Sequence, residues 1–168
     1  MTVDPPSEEQ RVRVWEEMIA ANMRSMYFAR LAARERRTQK GAAALAAALS
    51  AGACTIILSG AAVDLWLLWL TVPAAVLSGV SGLGKYGESA TKFVNCSVAW
   101  ADLHHGLQST WVDIESGHID REGVLDTLAR VREHVRPIDR DVADEPERTR
   151  LLDRCHDQAI ALASGAPA

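Results

Sequence analysis

Residues 41–84 read GAAALAAALSAGACTIILSGAAVDLWLLWLTVPAAVLSGVSGLG, and in these 44 residues the only charge is Asp64. Lys40 and Lys85 close the stretch on either side. Ala42–Ser59 is a run of 18 uncharged residues and Leu65–Leu83 a run of 19. As helices each is roughly 27 Å long at about 1.5 Å per residue, close to the ~30 Å hydrocarbon core of a bilayer. Between them, Gly60 can end one helix and Asp64 can cap the next. The stretch therefore predicts two transmembrane helices joined by a tight turn.

A buried helical hairpin in a soluble bundle is the alternative, because the first run is rich in Ala. Two features favour the membrane. Neither run keeps the polar face that a soluble helix carries. Trp66 and Trp69 also sit near the turn, where aromatic side chains suit a membrane interface. Flanking charge sets the orientation. From Arg24 to Lys40 there are six bases (Arg24, Arg30, Arg34, Arg36, Arg37, Lys40) against one acid, Glu35. Lys85 and Lys92 follow the second run, and the turn has no base. The expectation is a cell-membrane protein with both termini in the cytoplasm. A secretory signal peptide is not expected, since the first apolar run begins 41 residues in, behind a charged segment.

The 168 residues suit a membrane hairpin with one small soluble region. Three segments follow: 1–40, an amphipathic cytoplasmic helix; 41–84, the hairpin; and 85–168, a cytoplasmic helical region. Net charge is −4, divided as +2 over residues 1–40, −1 at Asp64 and −5 over residues 85–168. No basic stripe lies beyond the membrane-proximal zone, so direct nucleic-acid binding is not expected. Cys54, Cys96 and Cys155 are odd in number and widely spaced, which fits neither a disulfide framework nor a zinc site.

Outside the hairpin the pattern is helical throughout. Ser7-Glu8-Glu9-Gln10 is a capping box, with Ser7 as cap and Gln10 reaching back. A helix from Glu8 to Lys40 follows, able to run on into the membrane. Its predicted apolar stripe is Trp15, Met18, Ile19, Asn22, Met26, Ala29 and Ala33, broadened by Tyr27, Phe28 and Leu31. From Glu88, Phe93, Trp100, Leu107 and Ile114 recur every seven residues, with Cys96, Leu103 and Thr110 offset and Trp111 beside them. This coiled-coil-like pattern predicts a packing or oligomer seam. Ser116-Gly117-His118 ends the helix. Asp120 caps the next, with Val124, Leu125, Leu128, Val131 and Val135 on one side, and Pro137 is expected to stop it. An acidic linker over 139–147 leads to a last helix from about Pro146 to Ala163, with Leu151, Leu152, Cys155, Ala159 and Leu162 inward. The fold class is all-α: a two-helix transmembrane hairpin, with a bundle built from the N-terminal and C-terminal helices.

Within the hairpin, Ala44, Ala48 and Gly52 form a small-residue ladder, as do Ala75 with Gly79 and Ser78 with Gly82. Such ladders let helices approach closely in lipid. Pro73 removes one helical hydrogen bond and is a candidate hinge or packing kink. Asp64 is a helix cap or a pore-mouth acid. SGLGKYG lacks the spacing of a phosphate loop. His104, His105, His118, His134 and His156 form no ligand set, and no Ser or Cys has a nucleophile's surroundings. No enzyme activity, metal or cofactor is expected.

Tyr27-Phe28-Ala29-Arg30-Leu31-Ala32-Ala33-Arg34 leading into the first apolar run, Thr55-Ile56-Ile57-Leu58-Ser59 near its end, and the helix through Trp100 and Trp111 carry a resemblance. In these features the chain resembles the SLATT family, the two-transmembrane effector domain of bacterial conflict and anti-phage systems. The resemblance spans roughly Trp15 to Leu162 and is one of organisation, since the family has no catalytic motif. The first apolar run is richer in Ala than the family pattern. The resemblance implies an inner-membrane effector that forms homo-oligomers and permeabilises the membrane, causing growth arrest or death. It also implies a sensor or signal-producing partner. A non-conducting membrane scaffold is the rival reading.

Overall fold

The computed structural model describes residues 4–58 and 85–164, with the side chains of Ala46, 49–58 and 85–87 outside the description. Four helices fill these residues: α1, Glu8–Leu58; α2, Lys85–Glu115; α3, Arg121–Val142; and α4, Thr149–Ala163. The described chain is all-α. It divides into two compact units, one of Met1–Arg30 with Lys92–Ala168 and the other of Leu31–Thr91.

The helix ends form as their local sequence dictates. Ser7 N–H donates to Gln10 Oε1 at 2.9 Å and Gln10 N–H to Ser7 Oγ at 3.3 Å, the reciprocal pair of a capping box. Gly117 takes φ 70°, a conformation that strains any residue with a Cβ. It closes α2 in a Schellman motif, with His118 N–H on Asp113 O at 2.9 Å and Gly117 N–H on Ile114 O at 3.2 Å. Asp120 Oδ1 accepts from Gly123 N–H at 2.8 Å to cap α3.

In the first unit, the opening part of α1 packs with α2, α3 and α4. Contacts along α1 and α2 step in opposite directions. Phe28 stacks on Phe93 with centroids 6.3 Å apart, Ser97 Oγ donates to Ser25 O at 3.0 Å, and Trp15 meets Trp111 at 5.4 Å. The two helices are therefore antiparallel. α3 starts beside Asp4, whose carbonyl accepts from Arg121 N–H at 3.1 Å, and later brings Asp139 within 3.8 Å of Arg24. It runs parallel to α1. Arg148 N–H donates to Tyr27 Oη at 3.1 Å, and α4 descends from there to end near Trp15 and Ile19. The unit is an up-down-up-down four-helix bundle.

Its core is the α2 heptad. Phe93, Trp100, Leu107 and Ile114 are all buried, each removal from water being worth about 1.5–3 kcal/mol. Val14, Met18, Ala21 and Phe28 face them from α1, and Val124, Leu128, Val131, Cys155 and Ala159 from α3 and α4. Thr110 is a polar member of the seam, and its hydroxyl is satisfied by Gly106 O at 3.1 Å in its own helix.

Several sequence expectations need correction. Ala29 and Ala33 are exposed, because the buried line of α1 passes through Val14, Met18, Ala21, Phe28 and Ala32 instead. Trp15, Ile19 and Met26 flank that line half-buried, and neighbouring alanines carry no signal to tell one face from the next. α3 continues through Pro137. The proline leaves the Glu133 carbonyl without its helical donor, but both residues are exposed, so water can take the bond, while Ile138 and Val142 remain half-buried beyond it. Leu125 lies at the edge of the α3 stripe and is exposed. Leu162 is in line with Cys155 and Ala159 but sits in the last turn of α4, where it is 53% exposed.

In the second unit, α1 continues without interruption from Leu31 through the basic segment and on to Leu58. Among the described residues no helix is long and apolar enough to cross a membrane. The second apolar run, Leu65–Leu83, lies outside the described residues, as do all side chains of the first run beyond Ala48.

Candidate functional site

Of the hairpin residues singled out above, Ala44 and Ala48 are exposed on α1, and Gly52 lies in its helical backbone. Asp64, Pro73, Ala75, Ser78, Gly79 and Gly82 lie outside the described residues. The seam residues are brought together, and inside one chain. Phe93, Cys96, Trp100, Leu107 and Ile114 are buried, while Leu103 and Trp111 are half-buried.

The bundle holds two polar clusters that sequence reasoning missed. The Arg24 guanidinium lies 4.6 Å from the centre of the Trp100 ring and faces Asp139 at 3.8 Å. Arg30 donates to Cys155 Sγ at 3.3 Å and also to Gln158 Oε1. Both clusters join positions more than 70 residues apart, and no local motif announces either. Each ties a base of the N-terminal cluster into the bundle. The later bases, Arg34, Arg36, Arg37 and Lys40, are all exposed on α1.

The histidines are spent on packing or solvated. His104 Nδ1 lies 3.1 Å from Met18 O. A carbonyl only accepts, so Nδ1 carries the proton and pins α2 to α1. His134 Nδ1–H donates in the same way to Arg130 O at 2.9 Å, within its own helix. His105, His118 and His156 are exposed. Among the described residues, no three His, Cys, Asp or Glu side chains are grouped to hold a metal ion. The buried Cys96 thiol is pushed up by burial first and by the Asp141 carboxylate second, against a smaller opposite pull from Lys92. Burial and the raised value both favour the protonated thiol, the less reactive form.

A groove of about 690 Å³ runs between α2 and α3, with Leu103, Val131 and Ile138 among its apolar lining and Asp102, Asp113 and Arg130 among its charged residues. Its polar groups are largely committed to their own helices. Thr127 bonds Gly123 O, Thr110 bonds Gly106 O, and Arg130 pairs with Asp126 at 3.0 Å. A smaller groove of about 320 Å³ lies among α1, α2 and α4, where Trp15, Ile19 and Trp111 meet the exposed Val112 and Leu162. Neither groove offers converging catalytic groups.

Comparison with protein-family models, with curated proteins and with solved structures finds no match.

Proposed function

We propose that the chain is a membrane-embedded effector of the kind the SLATT resemblance implies: residues 41–84 enter the bacterial cell membrane as a helical hairpin, and copies assemble there to permeabilise it. The observation that carries this reading is the unbroken α1, which runs as one helix from Glu8 to Leu58. The helix passes directly from a bundle-forming segment, through exposed bases, into the charge-free residues 41–58. Helical backbone is the form in which a single segment satisfies its own polar groups in lipid. Two helices cannot enclose a conduit, so permeation requires several copies. The small-residue ladders of the hairpin are the proposed contacts between them.

The test is expression of the full chain with parallel fractionation, dye entry and membrane-potential measurement. Membrane association with depolarisation is expected. Gly52→Leu or Gly79→Leu should abolish depolarisation while leaving the chain in the membrane fraction. A chain recovered only in the soluble fraction would overturn the reading.

One observation favours the rival, a non-conducting anchor. The heptad that a coiled-coil assembly would use is buried within a single chain, and the α2–α3 groove is left open for a partner. Under that reading a foreign hairpin of equal length replaces residues 41–84 without loss of function.

A further inference from the structure

The sequence presents one basic cluster, but the structure splits it. Arg24 is engaged by Trp100 and Asp139, and Arg30 by Cys155 and Gln158. Arg34, Arg36, Arg37 and Lys40 are exposed, and no ion pair among the described residues involves them. At about 1.5 Å rise per residue, Lys40, Arg37 and Arg36 lie roughly 1.5, 6 and 7.5 Å along the axis from Gly41, and Arg34 about 10.5 Å. The headgroup layer on each face of a bilayer is about 5–7 Å deep beyond its hydrocarbon core. Long Arg and Lys side chains can span the remaining distance. At about 100° per residue the four bases share an arc of roughly 160°, and Glu35 falls outside it. The four bases are exposed and Glu35 is half-buried, while Thr38 and Gln39, outside the arc, are exposed as well.

We infer that Arg34, Arg36, Arg37 and Lys40 form a one-sided collar that binds the headgroups of anionic phospholipids. The inference rests on the membrane reading above and adds a lipid preference to it. Each base near an anionic leaflet contributes favourably, and the four act on a single helix face. Arg24 and Arg30, although counted with the same cluster in the sequence, take no part.

The test reconstitutes the full chain in nanodiscs of phosphatidylcholine, alone or mixed equally with phosphatidylglycerol. Association of spin-labelled phosphatidylglycerol and spin-labelled phosphatidylcholine with the protein is then compared. The unaltered chain should prefer phosphatidylglycerol several-fold. The combined variant R34Q/R36Q/R37Q/K40Q should lose the preference, whereas Arg24→Gln should keep it. On the unaltered chain, raising the salt to about 1 M, where the screening length is about 3 Å, should also collapse it. Should the combined variant fail to insert, this salt titration decides by itself. Insertion with equal contact to both lipids would overturn the collar and leave the anchor intact. Failure of the unaltered chain to insert into either bilayer would overturn the anchor and the collar together.

Discussion

The guanidinium of Arg24 covers the ring of Trp100 at 4.6 Å, joining the surface of α1 to the most buried aromatic side chain of α2. The two contributions differ in size. Trp100 is 2% exposed, so its truncation removes a large apolar volume from the core. The cation–π contact is worth about 0.5–1 kcal/mol at a partly exposed site. The Arg24–Asp139 pair, with side chains 40% and 56% exposed, adds little more. Trp100→Ala should lower stability by about 3–5 kcal/mol, and Arg24→Gln by about 1 kcal/mol. Denaturant unfolding of the detergent-solubilised full chain, followed by far-ultraviolet circular dichroism, measures both. Equal losses would contradict this ordering.

The capping box at Ser7 and Gln10 does more than start α1. Gln10 is buried, and its side-chain amide also donates to Arg121 O at 3.4 Å, linking the first turn of α1 to the start of α3. Ser7→Ala should destabilise by about 1 kcal/mol. Hydrogen exchange should accelerate in the first turn of α1 and leave the middle of α2 unchanged.

Two glycines, Gly106 within α2 and Gly117 just past its end, should respond to alanine in opposite directions. Gly106 lies mid-helix, with nothing within 4 Å of a Cβ built there. Gly106→Ala should stabilise by about 0.4–1 kcal/mol, through the reduced freedom of the unfolded chain. Gly117 also has open space, but at φ +70°. There the backbone decides, and Gly117→Ala should cost about 1–2 kcal/mol. Thermal melts of the two variants, one rising and one falling, test the pair.

Cys96 makes stability depend on alkaline pH. Its folded value lies above the ordinary 9.0, with burial as the main cause. Below the ordinary value both states hold the thiol proton, and Cys96 contributes no slope. Between the ordinary and the raised value the unfolded state binds fewer protons, so stability falls as pH rises. Cys96→Ala should flatten that part of the profile. In the folded chain, alkylation of Cys96 near pH 8 should be much slower than in denaturant, because the thiolate is the reacting form. Mass spectrometry of labelled peptides separates Cys96 from Cys54 and Cys155.

The local grammar of the bundle is legible in the sequence. Ser7 with Gln10, Gly117 and Asp120 each act within three to five residues, and each forms the bonds that its position implies. The seven-residue spacing from Phe93 to Ile114 likewise marked the core face of α2. Where the pattern relied on alanines, as at Ala29 and Ala33, it chose the wrong side. Pro137 misled for another reason: the cost of one missing hydrogen bond is local, whereas Ile138 and Val142 continue the packing beyond it.

The sequence by itself determined that the described segments are helical, where their caps lie and which face of α2 is apolar, because those choices rest on torsional preference and spacing over a single turn or heptad. Only the tertiary structure decided that the heptad is satisfied within one chain. It alone paired Arg24 with Trp100 and Arg30 with Cys155, while Arg34, Arg36, Arg37 and Lys40 stay exposed. These outcomes depend on which distant faces meet once chain segments of 70 residues or more are closed. That selection is made by collective burial, which no short stretch of sequence encodes.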